Sequence, residues 1–301
     1  MLELEHRRGR VHGARPLAAR ADRGKILPTD KFIEGLAGGQ HRLPKNVLVH
    51  TLTGDFPPPG AVSIDVSDSD FVLEPDPATL TLVPWYNEPT AQVIADCVLR
   101  DGGHSPFYSR RVLARLLERY VERGWHPVIA PEIEFYLVEK NTDPDQPLKP
   151  PIGASGRREA GARSFASARA SRSTSAGVTT TASRACVCRD APPRNRRVEN
   201  RLPGSDTNPY LTIAATLAAG YLGMTEALEP SPPVEGEETG AFETLPLDLR
   251  TALEQFEILG RSPRHVRRAL RQGFTEVVQA EYDAYLRVVS SWERKFLLLA
   301  V

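Results

Sequence analysis

Two glutamates, Glu132 and Glu134, stand two residues apart in the run PVIAPEIEFYLVEK, which extends from Pro127 to Lys140. The run predicts a strand, and side chains two residues apart in a strand project from the same face. Neighbouring carboxylates repel each other, and a divalent cation such as Mg²⁺ offsets that repulsion by binding their oxygens. The alternative is a solvated polar face, because charged side chains are mostly exposed. The spacing alone favours the solvated face and leaves the metal site open.

A third acid, Glu199, lies between Arg197 and Arg201 in the block RRVENRLPGSDTNPYL. In an extended segment all three side chains project from one face. A carboxylate would then lie between two guanidiniums, which are suited to binding carboxylate or phosphate oxygens. A structural cluster of salt bridges explains the same spacing equally well.

Helices are predicted on both sides of these segments. An amphipathic helix is expected from Ser109, as its N-cap, to Gly124, as its C-terminal stop. A second helix follows Asn208, a capping residue, with Pro209 at its first position, and its small apolar residues predict burial. Two amphipathic helices, around Leu249 to Leu259 and Thr275 to Leu299, are expected to close the chain.

The N-terminal part alternates short β-rich runs with turn signals from Arg23 to Val83. This pattern predicts a small sheet domain with one helix near Asp30 to Leu36, capped by Thr29 or Asp30. The run PTAQVIADCVL, which follows it, predicts a further strand.

The segment from Ile152 to Asp190 consists mainly of Ala, Ser and Arg and has few large apolar residues. Such a composition cannot build a core and predicts a disordered or weakly structured segment. The tract from Ile152 to Arg201 is also rich in arginine, which raises the alternative of a salt-sensitive, non-specific nucleic-acid arm.

Composition excludes several function classes for the chain as a whole. Lys and Arg together number 38, as do Asp and Glu, so net charge predicts neither nucleic acid nor a membrane surface as the partner. Three cysteines cannot form a disulfide framework. The sequence also has no secretory signal or membrane span, so a cytoplasmic protein is expected.

Three stretches of the chain resemble the glutamine synthetase family, especially the branch that acts on polyamines and other amines. RGKILPTDKF through PTAQVIADCVL resembles the N-terminal β-grasp domain, and APEIEFYLVEK resembles the strand that carries two metal-binding glutamates. NRRVENRLPGSDTNPYLTIAATLAAGYLGMTEALEPSPPVEGE resembles the distal catalytic segment.

The resemblance implies an α+β fold, with a small β-grasp domain and an incomplete catalytic domain made of an antiparallel sheet and helices. The expected order is a disordered N-terminus (1–22), the β-grasp-like domain (23–88), the first part of the catalytic domain (89–151), a disordered or remnant segment (152–190) and the C-terminal part of the catalytic domain (191–301).

The resemblance also implies roles for single residues. The metal ligands would be Glu132, Glu134 and Glu199. Arg201 would contact the substrate carboxylate or the transferred phosphate, and Arg197 would lie near the nucleotide phosphates. Asp55, in LTGDF, is the nearest match to an aspartate that the N-terminal domain contributes to the site of an adjacent subunit.

The implied reaction is an ATP-dependent carbon–nitrogen ligation, with ATP and Mg²⁺ or Mn²⁺ as cofactors. ATP phosphorylates the γ-carboxylate of glutamate, and ammonia or an amine then displaces phosphate. Family members form rings, so a homo-oligomer is expected.

The family pattern is incomplete between Glu134 and Glu199. Two further glutamate ligands and a glutamate flap cannot be placed there, and no histidine occurs between His126 and His265. The sequence therefore predicts a truncated and impaired ligase. The alternatives are an inactive remnant or a non-catalytic subunit that co-assembles with an intact paralogue, and, least favoured, the nucleic-acid-binding protein.

Overall fold

The computed structural model describes most of the 301-residue chain in two compact units. The first unit comprises Met1–Pro127, Asp206–Glu226 and Leu253–Asp283, and the second comprises Val128–Ser205, Ala227–Ala252 and Ala284–Val301. The described residues are 8–14, 23–132, 137–143, 146, 148–152, 177–178, 186–188, 192–204, 206–230, 245–258 and 268–297.

A mostly antiparallel sheet is the main element of the first unit. Its strands are β1 (Arg8–Ala14), β2 (Arg23–Pro28), β3 (Arg42–Pro44), β4 (Asp70–Pro75), β5 (Thr81–Leu82) and β6 (Thr90–Val98). They are ordered β2-β1-β6-β4-β3, and β5 also pairs with β6. Only β1 and β6 run parallel. With the helices described below, this sheet confirms the predicted α+β class.

The core of the first unit forms on one face of β6. Val93, Ala95 and Cys97 alternate along the strand and are buried, and Cys97 lies opposite Leu73 of β4. Alternation with a period of two places such side chains on one face. They pack with buried residues from other strands, loops and helices, which include Leu48, Val49, Phe71, Tyr108, Leu270 and Val277.

The predicted disorder of the N-terminus is wrong for residues 8–14. These residues form β1, which pairs with β2 on one side and with residues 90–94 of β6 on the other. Without β1, the first half of β6 would present unpaired backbone groups on that side. The predicted boundary between residues 88 and 89 also separates β6 from the sheet, in which it is the central strand.

The helices largely follow the sequence pattern. They are α1 (Thr29–Gly38), α2 (Ser109–Glu122), α3 (Pro209–Thr225), α4 (Leu249–Ile258), α5 (Arg268–Leu286) and α6 (Ser291–Phe296). The expected single helix from Thr275 to Leu299 is α5 and α6 instead. The break is explained by Ser290, whose side chain and backbone form a capping box with Glu293 and so begin a new helix.

The predicted caps are partly correct. The Asn208 side chain accepts hydrogen bonds from the backbone N–H groups of Tyr210 and Leu211, as expected for the cap of α3. Gly124, just beyond α2, has φ of 71°, a conformation that favours glycine. Ser109 is wrong as a cap, because it is the first buried residue inside α2. Thr29 and Asp30 are also wrong, because α1 directly follows β2 and Pro28 occupies its N-cap.

Helices α2 and α3 pack through a cluster of aromatic side chains. The Tyr120 hydroxyl donates to the Leu217 carbonyl oxygen at 2.7 Å, and the Tyr120 and Tyr221 rings lie 5.5 Å apart. The Arg123 guanidinium lies 5.6 Å from the ring centres of Trp125 and Tyr221. Burial of these rings against small residues of α3 fixes the helix that follows the Glu199 block.

Helix α5 joins the same unit through buried apolar contacts and through carboxylates that bind loop backbone. Val277 packs in the core. Glu276 accepts hydrogen bonds from the Val62 and Ser63 backbone N–H groups at 3.0 and 2.9 Å and from the Gln272 amide at 3.2 Å. Gly273 allows the close approach, because a Cβ there would lie 2.5 Å from a Phe107 ring carbon.

The predicted strand from Pro127 to Lys140 is not found in the part of that run that the structure describes. Residues 127–132 and 137–140 have no regular structure, and residues 133–136 lie outside the described residues. Strand propensity is expressed only where a neighbouring strand pairs with the backbone. In the described part of the run, the Glu139 N–H donates to the Lys149 carbonyl oxygen at 2.9 Å.

The second unit contains a three-stranded sheet. Its strands are β7 (Gly177–Val178), β8 (Cys186–Cys188) and β9 (Val198–Asn200), in that order, with β8 and β9 antiparallel. Within the segment predicted to be disordered, residues 177–178 and 186–188 are therefore in strands. Apart from Ile152, the rest of that segment lies outside the described residues.

Gly273 provides a direct test of the packing of α5. We expect Gly273→Ala to lower the free energy of unfolding by about 1–3 kcal/mol, because the new methyl group must displace the packed Phe107 ring. Gly223→Ala in α3 is the control, since its Cβ meets nothing within 4 Å. The control should gain up to about 1 kcal/mol from helix propensity. Urea unfolding measures both, and equal effects of the two substitutions would contradict this packing.

The contacts of Glu276 predict a pH dependence of stability. Burial raises the pKa of Glu276, but hydrogen bonds from Ser63, the Val62 amide and Gln272 outweigh burial and lower the pKa below its ordinary 4.5. The stabilisation is therefore complete above pH 4.5 and is lost as the pH falls through the folded-state pKa. We expect Glu276→Gln to destabilise the protein at pH 7 by more than it does below pH 4.5. Urea unfolding measures the stability difference between the unsubstituted protein and Glu276→Gln at each pH. If that difference does not change with pH, the charge of the carboxylate contributes nothing to stability.

Candidate functional site

The structure brings Glu199 and Arg201 into direct contact. Glu199 is the middle residue of β9 and lies opposite Val187 of β8. Arg201 follows the strand, and its Nε donates to the Glu199 Oε1 at 2.6 Å. The two side chains are on the same face, as an extended segment requires for residues two apart. Glu199 is half-buried and Arg201 is exposed.

This ion pair has the chemistry of an anion-binding arginine held by a carboxylate. A guanidinium carries five N–H donors in a planar fork, of which the contact with Glu199 uses Nε. Such a group binds the oxygens of carboxylates and phosphates, and a neighbouring carboxylate restricts where it lies. The turn that follows is closed by the Leu202 N–H, which donates to the Asn200 side chain at 3.1 Å.

For the other predicted site residues of the second unit, the structure gives exposure and local backbone structure. Arg197 is exposed and precedes β9. Glu132 is exposed in a segment without regular structure, so the structure gives it no strand face of the kind that the sequence predicted. Glu134 lies outside the described residues. The roles of all three stay predictions.

The described residues do not fit the metal centre that the resemblance implies. Within them, no group of three or more His, Cys, Asp or Glu side chains could hold a metal ion. The carboxylate of Glu199, one of the three predicted ligands, contacts Arg201. We therefore assign no chemical step to a metal ion.

Asp55 belongs to the first unit and lies in a tight turn after the buried Thr51. The Asp55 N–H donates to the Thr51 Oγ1 at 2.9 Å, and the Thr51 N–H donates to the Asp55 carbonyl oxygen at 2.9 Å. The side chain of Asp55 accepts from the Thr53 hydroxyl at 2.7 Å and is exposed. Gly54 has φ of 90°, which a residue with a side chain rarely adopts.

Sequence reasoning missed the residues that hold this turn. Thr51 could have been found, because a threonine four residues before an aspartate in T-x-T-G-D is typical of a side-chain-bonded turn. Glu281 of α5, whose Oε1 accepts from the Leu52 N–H at 2.6 Å, lies 229 residues away in sequence. No local signal could have indicated that contact.

Comparison with known protein families identifies the chain. The sequence profile of the glutamine synthetase catalytic domain matches residues 107–179 and 169–297, so the matched region contains Glu132, Glu199 and Arg201. The chain belongs to the glutamine synthetase family. The resemblance to this family is thereby confirmed for the second and third sequence stretches, which lie within the matched residues.

Two curated relatives of this glutamine synthetase family member act on small amines, as their names indicate. The chain is 36% identical over 101 residues to gamma-glutamylethanolamide synthetase of Streptomyces coelicolor, an alignment that covers 33% of this chain and 22% of the relative. It is 46% identical over 59 residues to glutamate–isopropylamine ligase of a Pseudomonas species, which covers 20% of this chain and 13% of the relative. The chain thus spans less than a quarter of the length of these relatives.

A solved structure shows the same fold. A crystal structure of a glutamine synthase homologue superposes with a TM-score of 0.65 at 14% sequence identity, covering 97% of this chain and 97% of that chain. Among the described residues, no helix is both long and apolar enough to cross a membrane.

The turn around Asp55 predicts the effect of removing its central hydroxyl. Thr51→Val keeps the side-chain shape but removes the acceptor of the Asp55 N–H, so we expect the free energy of unfolding to fall by about 1–2 kcal/mol. Thr216→Val, at an exposed position on α3, is the control and should change stability by less than about 0.5 kcal/mol. The turn would not depend on the hydroxyl if thermal unfolding gave the same midpoint for both variants.

Proposed function

We propose that this family member is an ATP-dependent ligase that joins ammonia or a small amine to the γ-carboxylate of glutamate, with an activity impaired by a shortened catalytic domain. The observation that carries the proposal is the family match from 107 to 297, which includes the contacting pair Glu199 and Arg201. The names of the two curated relatives support a small amine as the second substrate.

The proposed reaction has two balanced steps. A γ-carboxylate oxygen of glutamate attacks the γ-phosphorus of ATP, the bond to the β-phosphate oxygen breaks, and ADP leaves. The amine nitrogen then attacks the acyl carbon of γ-glutamyl phosphate, the carbon–oxygen bond breaks, and phosphate leaves with a former carboxylate oxygen. The nitrogen loses a proton and an amide remains.

Arg201 has a defined part in this chemistry. Both the substrate carboxylate and the transferred phosphoryl group are anions, and an exposed guanidinium at the end of β9 can bind either. Charge that develops on phosphoryl oxygens is stabilised by such a cation when its position is fixed beforehand. The contact of Arg201 with Glu199 restricts that position.

Two features support impairment. The family profile matches the chain in two segments that overlap at residues 169–179, within the Ala/Ser/Arg-rich segment predicted to replace part of the catalytic domain. Within the described residues, which exclude Glu134, no group of three or more His, Cys, Asp or Glu side chains could hold a metal ion, whereas ATP with Mg²⁺ or Mn²⁺ is part of the proposal. A cytoplasmic homo-oligomer belongs to the same proposal.

Arg201 gives the sharpest test of the ligase function. With glutamate, ATP, hydroxylamine as the amine probe and Mg²⁺ or Mn²⁺ supplied, we expect slow formation of γ-glutamyl hydroxamate. Arg201→Gln should lower the rate by about 100-fold, because it removes a cation that stabilises the reacting oxygens. Arg250→Gln, at an exposed position of α4, is the matched control and should leave the rate unchanged.

A parent protein that forms no hydroxamate above the enzyme-free rate would overturn the ligase proposal. The second candidate, a non-catalytic subunit, is favoured by the lack of a metal-binding group in the described residues, and it predicts that outcome. It further requires that the chain co-purify with a full-length paralogue. The nucleic-acid alternative is not pursued, because most of its arginine-rich tract lies outside the described residues.

A further inference from the structure

We propose that Glu281 is a positioning residue for Asp55, which it places through the Leu52 backbone. The inference rests on the proposed ligase function and on the role that the family resemblance implies for Asp55, but the contact itself belongs to the described structure. Glu281 lies on α5 and Asp55 in the turn that follows Thr51, and both are in the first unit. Nothing in the family match, which begins at residue 107, assigns this pairing.

The turn has both apolar and polar attachments near its tip. Leu52 and Phe56, which flank Asp55, are each 50% exposed, and the Phe56 ring lies edge-on to the His50 ring with ring centres 4.3 Å apart. Their burial is therefore partial, and the apolar stabilisation of the tip is smaller than that of a core residue. Inside the turn, Thr51 binds Asp55, but these bonds fix only the local shape.

The orientation of the turn on the unit requires contacts with other elements. The Arg23 guanidinium donates to the Thr51 carbonyl oxygen at 3.4 Å, and the shorter of the two contacts is that of the Leu52 N–H, which donates to Glu281 at 2.6 Å.

Helix α5 is a firm base for that contact. Val277, one helical turn before Glu281, is fully buried in the core, and Leu270 packs in the same cluster. Because the helix is held in the core, the position of the Glu281 carboxylate is restricted. A hydrogen bond to a charged acceptor is also stronger than one to a neutral acceptor. The bond from Glu281 thereby restrains the turn that carries Asp55 relative to the buried helix.

Glu276 provides an internal comparison, because it makes the same kind of bond to a different part of the same loop region. It accepts from the Val62 and Ser63 N–H groups, beyond the Asp55 turn. Both glutamates lie on α5 and are half-buried. The N–H groups that donate to them all belong to the first unit. They hold different parts of the backbone: Glu281 binds the N–H of Leu52, and Glu276 binds the N–H groups of Val62 and Ser63.

Amide hydrogen exchange on the full-length chain tests the positioning directly. Glu281→Ala should speed exchange of the Leu52 amide by about tenfold or more, because its charged acceptor is lost. Glu276→Ala should speed exchange at Val62 and Ser63 and leave Leu52 unchanged. Glu281→Gln, which keeps an acceptor oxygen, should fall between the parent and Glu281→Ala. This graded series also guards against a variant that simply fails to fold.

Hydroxamate formation then tests whether the positioning acts through Asp55. Glu281→Ala and Asp55→Asn should each lower kcat/KM, and the double variant should be no slower than Asp55→Asn alone. Glu276→Ala should lower kcat/KM less than Glu281→Ala does. If the unsubstituted protein forms no hydroxamate, the ligase function is overturned. The exchange rate of the Leu52 amide still tests the contact with Glu281 in that case. Unchanged exchange at Leu52, or additive losses of kcat/KM in the double variant, would overturn the positioning role.

Discussion

Pairing along β6 is the constraint on which the first unit depends. The first half of this strand pairs with β1, and its second half pairs with β4, so one strand joins N-terminal residues to the rest of the sheet. Its buried side chains form one wall of the core. The Tyr108 hydroxyl, just before α2, donates to the Ala95 carbonyl oxygen and the Asp96 carboxylate, which ties the helix to this strand. A change in the register of β6 would expose its apolar face.

Elements far apart in sequence complete the unit around that strand. Arg110 of α2 contacts Asp76 and Asp96 at 2.6 and 2.9 Å, and α3 packs on α2 through the Tyr120 cluster. Helix α5 closes the same core from the C-terminal part of the chain. Its carboxylates bind loop backbone near residues 52 and 62, so the shape of the Asp55 region depends on residues more than 200 positions away.

Local signals in the sequence were sufficient where the structure depends on near neighbours. Asn208 and Pro209 begin α3 as predicted, since a cap and a proline act within one turn of the helix. The strand β6 was also expected from its composition. By contrast, β1 and the Glu281 contact depend on partners distant in sequence. Where a strand was predicted around Glu132, the part of the run that the structure describes has no regular structure. For the site, spacing correctly placed Glu199 and Arg201 on one face, but it could not distinguish an ion pair from a metal ligand.

The central claim is that a partial family site, with Arg201 held by Glu199, still supports transfer of phosphate to a carboxylate. The fate of a carboxylate oxygen reports on this most directly, because only the acyl-phosphate route moves that oxygen to phosphate. Glutamate labelled with heavy oxygen in its γ-carboxylate is incubated with ATP, an amine and the full-length protein, and the released phosphate is analysed by mass spectrometry. We expect one labelled oxygen in each phosphate released with the product. Unlabelled phosphate, or no phosphate above the protein-free rate, would contradict it.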